Sequence, residues 1–182
     1  SVLDTAKGVS IVVGTGEHDL LGMQGVDRIA AVLPPYVAIP TTAGTGSEVT
    51  SVAVIYNEDA QAKMAFVSQK LYPQVAVIDP VMMLTMPAKI TAATGMDALT
   101  HAVEALYGLQ HNPVSDAYAD AAIKMVFTYL KEAVINGANE EARLGMANAA
   151  LLAGIAFSNS MVGVVHALAH ATGGVAHVPH GV

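Results

Sequence analysis

Two pairs of residues stand at a four-residue spacing that can bring metal-binding side chains together. In GMDALTHAVEA, residues 95–105, Asp97 and His101 stand four apart. On a helix that spacing projects both side chains from one face, one turn apart. In HALAHATGGVAHVPH, residues 166–180, His166 and His170 repeat the spacing, and His177 and His180 follow past a glycine pair. That second stretch holds four of the chain's 7 histidines, yet no Asp, Glu, Lys or Arg occurs after Arg143. Each pair alone has an ordinary reading, as a surface or capping pair, or as core histidines satisfied by neighbours. Together they point further: several imidazoles in an apolar region are costly without a shared partner, and a metal ion is one. The chain has no cysteine, which removes thiolate ligands, disulfides and cysteine nucleophiles together. The remaining oxygen and nitrogen donors suit Fe(II), Zn(II), Mn(II) or Co(II), and spacing alone does not choose among them.

A second candidate is TTAGTGSE, residues 41–48. A Gly/Thr/Ser loop after a buried strand offers backbone N–H groups and hydroxyls to an anion. It reads equally well as a strand-ending turn. Neither G-x-G-x-x-G nor a P-loop occurs in the chain.

These residues need elements to position them. Apolar spacing predicts a helix over 1–13 and a Gly-rich loop over 14–25. YVAIP (36–40) and QVAVIDP (74–80) read as short buried strands, the second stopped by Pro80. VTSVAVIY (49–56) and KMAFVS (63–68) read as a hairpin around the turn NED. After Pro87 the pattern becomes helical, over 91–107, 114–134, 139–157 and 161–170. Asn112-Pro113, Gly137 and the polar run 158–160 separate these helices. The expected fold class is an α/β N-terminal part followed by an all-helical part, with a boundary near Met86-Pro87.

Composition narrows the function classes. At 53% hydrophobic and 13% charged residues the chain has a core to bury and is not disordered. A net charge of -7 with no basic run argues against nucleic acid as a partner. Residues 144–165 carry no charge and are long enough to span a membrane. Asn148, Ser158, Asn159 and Ser160 favour a buried soluble helix instead, so no membrane partner is expected. No secretory signal is seen, which fits a cytoplasmic protein. No H-E-x-x-H occurs, and no carboxylate stands beside the clustered histidines in sequence, which argues against a zinc hydrolase.

IPTTAGTGSEVT, the Asp79-Pro80 pair, TAATGMDALTHAVEA and VHALAHATGGVAHVPHG occur in that order over residues 39–181. In these motifs the chain resembles the iron-containing alcohol dehydrogenases. The resemblance implies residues 1–86 as the later part of a Rossmann-like dinucleotide-binding domain, and 87–182 as the start of a helical, metal-binding catalytic domain. It also implies that segments on both sides complete such an enzyme. The metal ligands implied are Asp97, His101, His166 and His180, with Fe(II) expected and Zn or another divalent metal as the alternative. His170 is implied to lie near the nicotinamide and to take part in proton transfer.

The cofactor, NAD or NADP, is implied to touch Ser1, Thr41, Thr42, Thr45, Lys63 and Met82, and Phe157 to border the substrate pocket. His177 has no role in the family pattern and reads as structural. His18 and His111 read as surface residues. The activity implied is oxidation of a small alcohol or diol, and the reverse reduction of an aldehyde or ketone, by a homodimer or larger homo-oligomer. A glycerol dehydrogenase or a dehydroquinate-synthase-like enzyme on the same fold, and a truncated non-catalytic metal-binding fragment, are the competing readings. Asp97 and His101 together in GMDALTH favour the alcohol dehydrogenases.

Overall fold

The computed structural model describes residues 1–176 and 178–181. The expectation for His177 lies outside the described residues. The chain opens on α1 (Val2–Thr15). Ser1 caps it: its hydroxyl accepts from the Asp4 amide at 3.2 Å, and the Asp4 carboxylate receives the Ser1 amine at 2.8 Å. Gly16 ends the helix in the left-handed conformation, at φ 73°.

Five strands follow: β1 (Gly25–Val26), β2 (Val37–Ala38), β3 (Val52–Asn57), β4 (Ala62–Val67) and β5 (Val75–Ala76). β3 and β4 form the expected hairpin, paired from Val52↔Val67 to Asn57↔Ala62, and β1 adds parallel to β4. β2 and β5 form a separate parallel pair. The buried Ile11, Ile29, Ala53, Phe66 and Leu71 join α1 to this sheet. Buried Lys7 adds a polar pin, donating to the Thr50 and Val52 carbonyls at 2.7 and 2.8 Å and to the Thr50 hydroxyl at 3.1 Å. Burial pushes the Lys7 ammonium down to about 8, against the opposing pull of Asp4 and Glu48.

The two apolar runs expected as buried strands differ from expectation. Each contributes only two paired residues, and Val37, Ile39, Val75 and Val77 are exposed. Alternation sends Ala38 inward at 0% exposure while its neighbours face outward from a two-stranded sheet.

The helical part is α2 (Ala88–Tyr107), α3 (Pro113–Ile135), α4 (Glu140–Ser160) and α5 (Val164–Ala176). Helices α2, α3 and α4 pack on one another through small side chains: Ala98, Ala102, Ala105, Ala119, Ala122, Ala149, Ala150, Ala153 and Ala156 are all buried. Small residues allow close helix approach, which brings the α2 side chains near α4. Asn112 caps α3, accepting from the Val114 and Ser115 amides at 3.1 Å, with Pro113 opening the helix.

The break after α4 falls later than expected. Ser158, Asn159 and Ser160 remain helical; Asn159 donates to the Ile155 carbonyl at 2.8 Å and Ser160 to that of Ala156 at 3.1 Å. The chain turns instead at Met161, whose φ is 66°. No single helix among the described residues is long and apolar enough to cross a membrane, and α4 and α5 meet at 103°.

Arg143 ties the two parts together. Its side chain is 1% exposed and donates to Gly137 O at 2.9 Å, Thr91 Oγ1 at 2.7 Å and Met86 O at 2.8 Å. Arg143→Met keeps the apolar stem but strands these three acceptors. It should destabilise the fold by about 2–3 kcal/mol, read from the midpoint of urea unfolding, because buried unsatisfied groups keep their desolvation cost. An unchanged midpoint would mean that water takes over the three acceptors.

Candidate metal centre

The i, i+4 pair on α2 faces the pair on α5. Asp97 and His101 are 7% and 5% exposed, and His166 is 3% exposed. One donor atom from each of these three lies within 4.8 Å of the others. His180, just past α5, joins them: its Nε2 and the His166 Nε2 each stand 3.4 Å from the same Asp97 oxygen, Oδ1. Donors bound at about 2.1 Å in a tetrahedral shell stand about 3.4 Å apart, so this spacing matches one small cation at their centre. The buried His166 Nε2 has no hydrogen-bond partner among the described residues, as expected of a nitrogen reserved for a metal.

The rings are held by stacking. His101 lies between Phe157, at 4.3 Å between centroids, and His166, at 4.2 Å. Phe157 comes from α4, so the close packing of α2 on α4 is what braces the ligand face. His170 stands edge-on to His166 at 6.1 Å and 5.1 Å from His180.

The loop over 41–46 closes the other side. At Gly44 a Cβ would stand 2.6 Å from the Thr94 carbonyl. At Gly46, with φ 62°, a Cβ would stand 2.6 Å from Gly154 Cα on α4. Only glycine allows this loop to seat its backbone on α2 and α4.

Electrostatics follow from the enclosure. Burial drives His101 down to about 4, against the pull of Asp97. Burial, Lys63 and the neighbouring imidazoles drive His170 down to about 4 as well. Burial and Lys63 also lower His180, outweighing Asp97. For His166 burial again favours the neutral ring, but Asp97 and Glu104 outweigh it and raise its pKa. For Asp97 burial opposes ionisation, and the surrounding imidazoles overcome it, so its carboxyl lies below the usual range.

Among the four imidazoles here, His166 is therefore the one whose surroundings favour the protonated ring in the metal-free protein. Its raised value stabilises the metal-free fold fully below the ordinary histidine range, and that contribution is lost as pH rises through the raised value. Metal binding below the ordinary histidine range, at about pH 6, should release about one proton per chain, because a ligating imidazole is neutral. Calorimetry of Zn(II) binding in two buffers of different ionisation enthalpy measures it. Identical heats in both would contradict the protonated His166.

Around the centre, a cavity of about 320 Å³ is lined by Met96, Asp97, Thr100, Val165, His166, Ala169, His180 and Gly181. The Phe157 ring covers His101. Lys63 extends from β4 toward α5, where its Nζ would stand 3.4 Å from a Cβ at Gly173. The other five expected cofactor positions lie on the α/β part. Ser1 caps α1, Thr41, Thr42 and Thr45 lie in the glycine loop, and exposed Met82 lies on the 3-10 turn Pro80–Met83. Thr45 Oγ1 accepts from the Ser47 amide at 3.3 Å.

Residues 91–182 match the Fe-containing alcohol dehydrogenase family, C-terminal, and residues 1–80 match iron-containing alcohol dehydrogenase. The chain belongs to the iron-containing alcohol dehydrogenase family. It is 49% identical over 179 residues to 1,3-propanediol dehydrogenase of Citrobacter freundii, covering 98% of this chain and 46% of that protein. It is 46% identical to NAD-dependent methanol dehydrogenase of Bacillus methanolicus, covering 98% of this chain and 47% of that protein. The fold superposes on alcohol dehydrogenase from Oenococcus oeni with a TM-score of 0.94 at 46% identity, covering 98% of this chain and 46% of that one. The chain thus spans about half the length of the curated relatives that it matches.

One buried acid at this centre was not singled out from the sequence. Glu104, 0% exposed, lies on α2 three residues after His101 and reaches the His166 ring. The register Asp97, His101, Glu104 (i, i+4, i+7) was the available signal, since all three share one helix face.

Proposed function

We propose that this chain carries the metal centre and part of the cofactor site of a metal-dependent, NAD(P)-linked alcohol dehydrogenase. The enzyme oxidises a small primary or secondary alcohol or diol and reduces the matching aldehyde or ketone. The observation that carries this reading is the convergence of one carboxylate and three imidazole nitrogens at the spacing of a small-cation shell, beside a half-buried neutral His170. Asp97, His101, His166 and His180 would hold the metal, which the family points to as iron. Residues 1–86 would belong to the dinucleotide-binding part and 87–182 to the catalytic helices.

A divalent ion held there supplies Lewis acidity toward the substrate oxygen. The residues of the chain do the rest. Asp97 supplies the negative charge among the imidazoles. Phe157 and the glycine loop keep water from His101, which strengthens every charge interaction inside. Lys63, the hydroxyls of Thr41, Thr42 and Thr45, Ser1 and Met82 would line the cofactor, and burial together with the Lys63 charge holds His170 neutral. A neutral His170 can accept a proton from the substrate hydroxyl, directly or through a water, and pass it to solvent. The protein aligns the two carbons between which hydride moves.

Anaerobic Fe(II) loading of the enzyme that carries this chain within complete dinucleotide-binding and helical domains, followed by NAD- or NADP-linked assay with 1,3-propanediol, methanol and ethanol, tests this reading. Metal-dependent reduction of the nicotinamide supports it. A folded, metal-loaded protein that reduces neither nicotinamide with any of them would count against it.

A further inference from the structure

The centre holds a second carboxylate that the ligand set does not use. Glu104 is fully buried, and both its oxygens face one short stretch, the start of α5, with Tyr107 of its own helix as a further donor. Oε1 accepts from the Val165 amide at 2.7 Å, the His166 amide at 3.2 Å and the Tyr107 hydroxyl at 3.3 Å. Oε2 accepts from the Gly163 amide at 2.8 Å and meets His166 Nδ1 at 2.5 Å. A fully buried glutamate is expensive unless each lone pair is used, and here four N–H groups and a hydroxyl use them.

Three features single out the imidazole bond. First, an ionised carboxylate only accepts, so Nδ1 must be the donor, and the proton on that nitrogen is fixed. Second, the opposite nitrogen, Nε2, is a buried atom without a hydrogen-bond partner among the described residues, and it stands 3.4 Å from Asp97 Oδ1. Third, Glu104 follows Asp97 and His101 on one face of α2, so a single helix carries two candidate ligands and the group that orients a third.

We infer that Glu104 is a positioning residue for the metal centre. It locks His166 in the Nδ1–H tautomer and in one ring orientation, so that the Nε2 lone pair faces the ion. It also fastens the first turn of α5 to α2. The inference rests on the metal reading above. A carboxylate behind a ligating histidine raises the ligand's basicity and fixes its aim.

Glu104→Gln separates this role from capping alone. A glutamine amide places an N–H₂ where one carboxylate oxygen stood, so either the α5 amides or the His166 Nδ1–H loses its acceptor. Co(II) affinity is measured by chelator competition on the purified protein and on Glu104→Gln, with the visible Co(II) spectrum of each. Histidine ¹⁵N spectra of the Zn(II)-loaded unmutated protein give the His166 tautomer directly and need no variant.

The expected result is one Co(II) per chain in the unmutated protein and His166 protonated at Nδ1 in the Zn(II) form. In Glu104→Gln affinity should fall about 10–100-fold, with shifted Co(II) bands. Affinity within twofold and unchanged bands would reduce Glu104 to a helix cap and overturn the inference while leaving the metal reading intact. His166 protonated at Nε2 in the Zn(II) form would overturn it even if the variant does not fold. A folded unmutated protein that binds no Co(II) would remove the metal reading, and this inference with it.

Discussion

His170→Ala should keep its metal and lose its rate. The ring stands 5.1 Å from His180 and 6.1 Å from His166, centroid to centroid, at the edge of the imidazole cluster. Burial and the Lys63 charge hold it down at about 4, so near neutral pH it is an acceptor with no proton of its own to shed. Positioned acid–base groups contribute about 10²–10⁴-fold, and kcat in His170→Ala should drop within that range at unchanged metal content. Metal analysis beside steady-state kinetics separates the outcomes. Loss of metal would make His170 a ligand, and an unchanged rate would remove it from proton transfer.

Asp97→Ala should abolish metal binding and turnover together. Asp97 is the one carboxylate that both His166 and His180 face, and it is 7% exposed. Without it three imidazoles must hold a dication with no neutralising charge in the shell. Orienting groups behind a ligand are worth about 10–100-fold in affinity, so loss of the ligand itself should cost more than about 100-fold. The metal-free variant should also lose the raised pKa of His166, since Asp97 is one of its two main causes. Circular dichroism confirms that the helices persist, and metal content after dialysis gives the result. Tight metal retained in the folded variant would contradict the ligand assignment.

The sequence made the helices legible because their cores repeat at helical spacing and their starts carry caps. Asn112-Pro113 predicted the start of α3, and the structure shows why: Asn112 satisfies two amides and Pro113 has none to satisfy. The end of α4 was misplaced because a polar run reads as a break. Ser160 and Asn159 instead satisfy their side chains on the preceding turn, and the break waits for Met161. The strands around Val37 and Val75 were legible as strands but not in their exposure, because burial depends on what packs against a sheet and not on its own residues.

The candidate centre was visible as two i, i+4 pairs. Their meeting across α2 and α5 depends on the Ala-lined contact with α4 and on the turn at Met161, neither of which spacing reveals. Glu104 escaped notice for the same reason, since a glutamate near the end of a helix ordinarily faces solvent.

The most direct test of the proposed centre is iron stoichiometry with X-ray absorption at the iron edge, on the purified protein loaded anaerobically with Fe(II). One iron per chain, in a shell of nitrogen and oxygen with the outer scattering of about three imidazoles, is the result that the geometry of Asp97, His101, His166 and His180 predicts. A folded protein with no tightly bound iron, or iron without imidazole scattering, would contradict it.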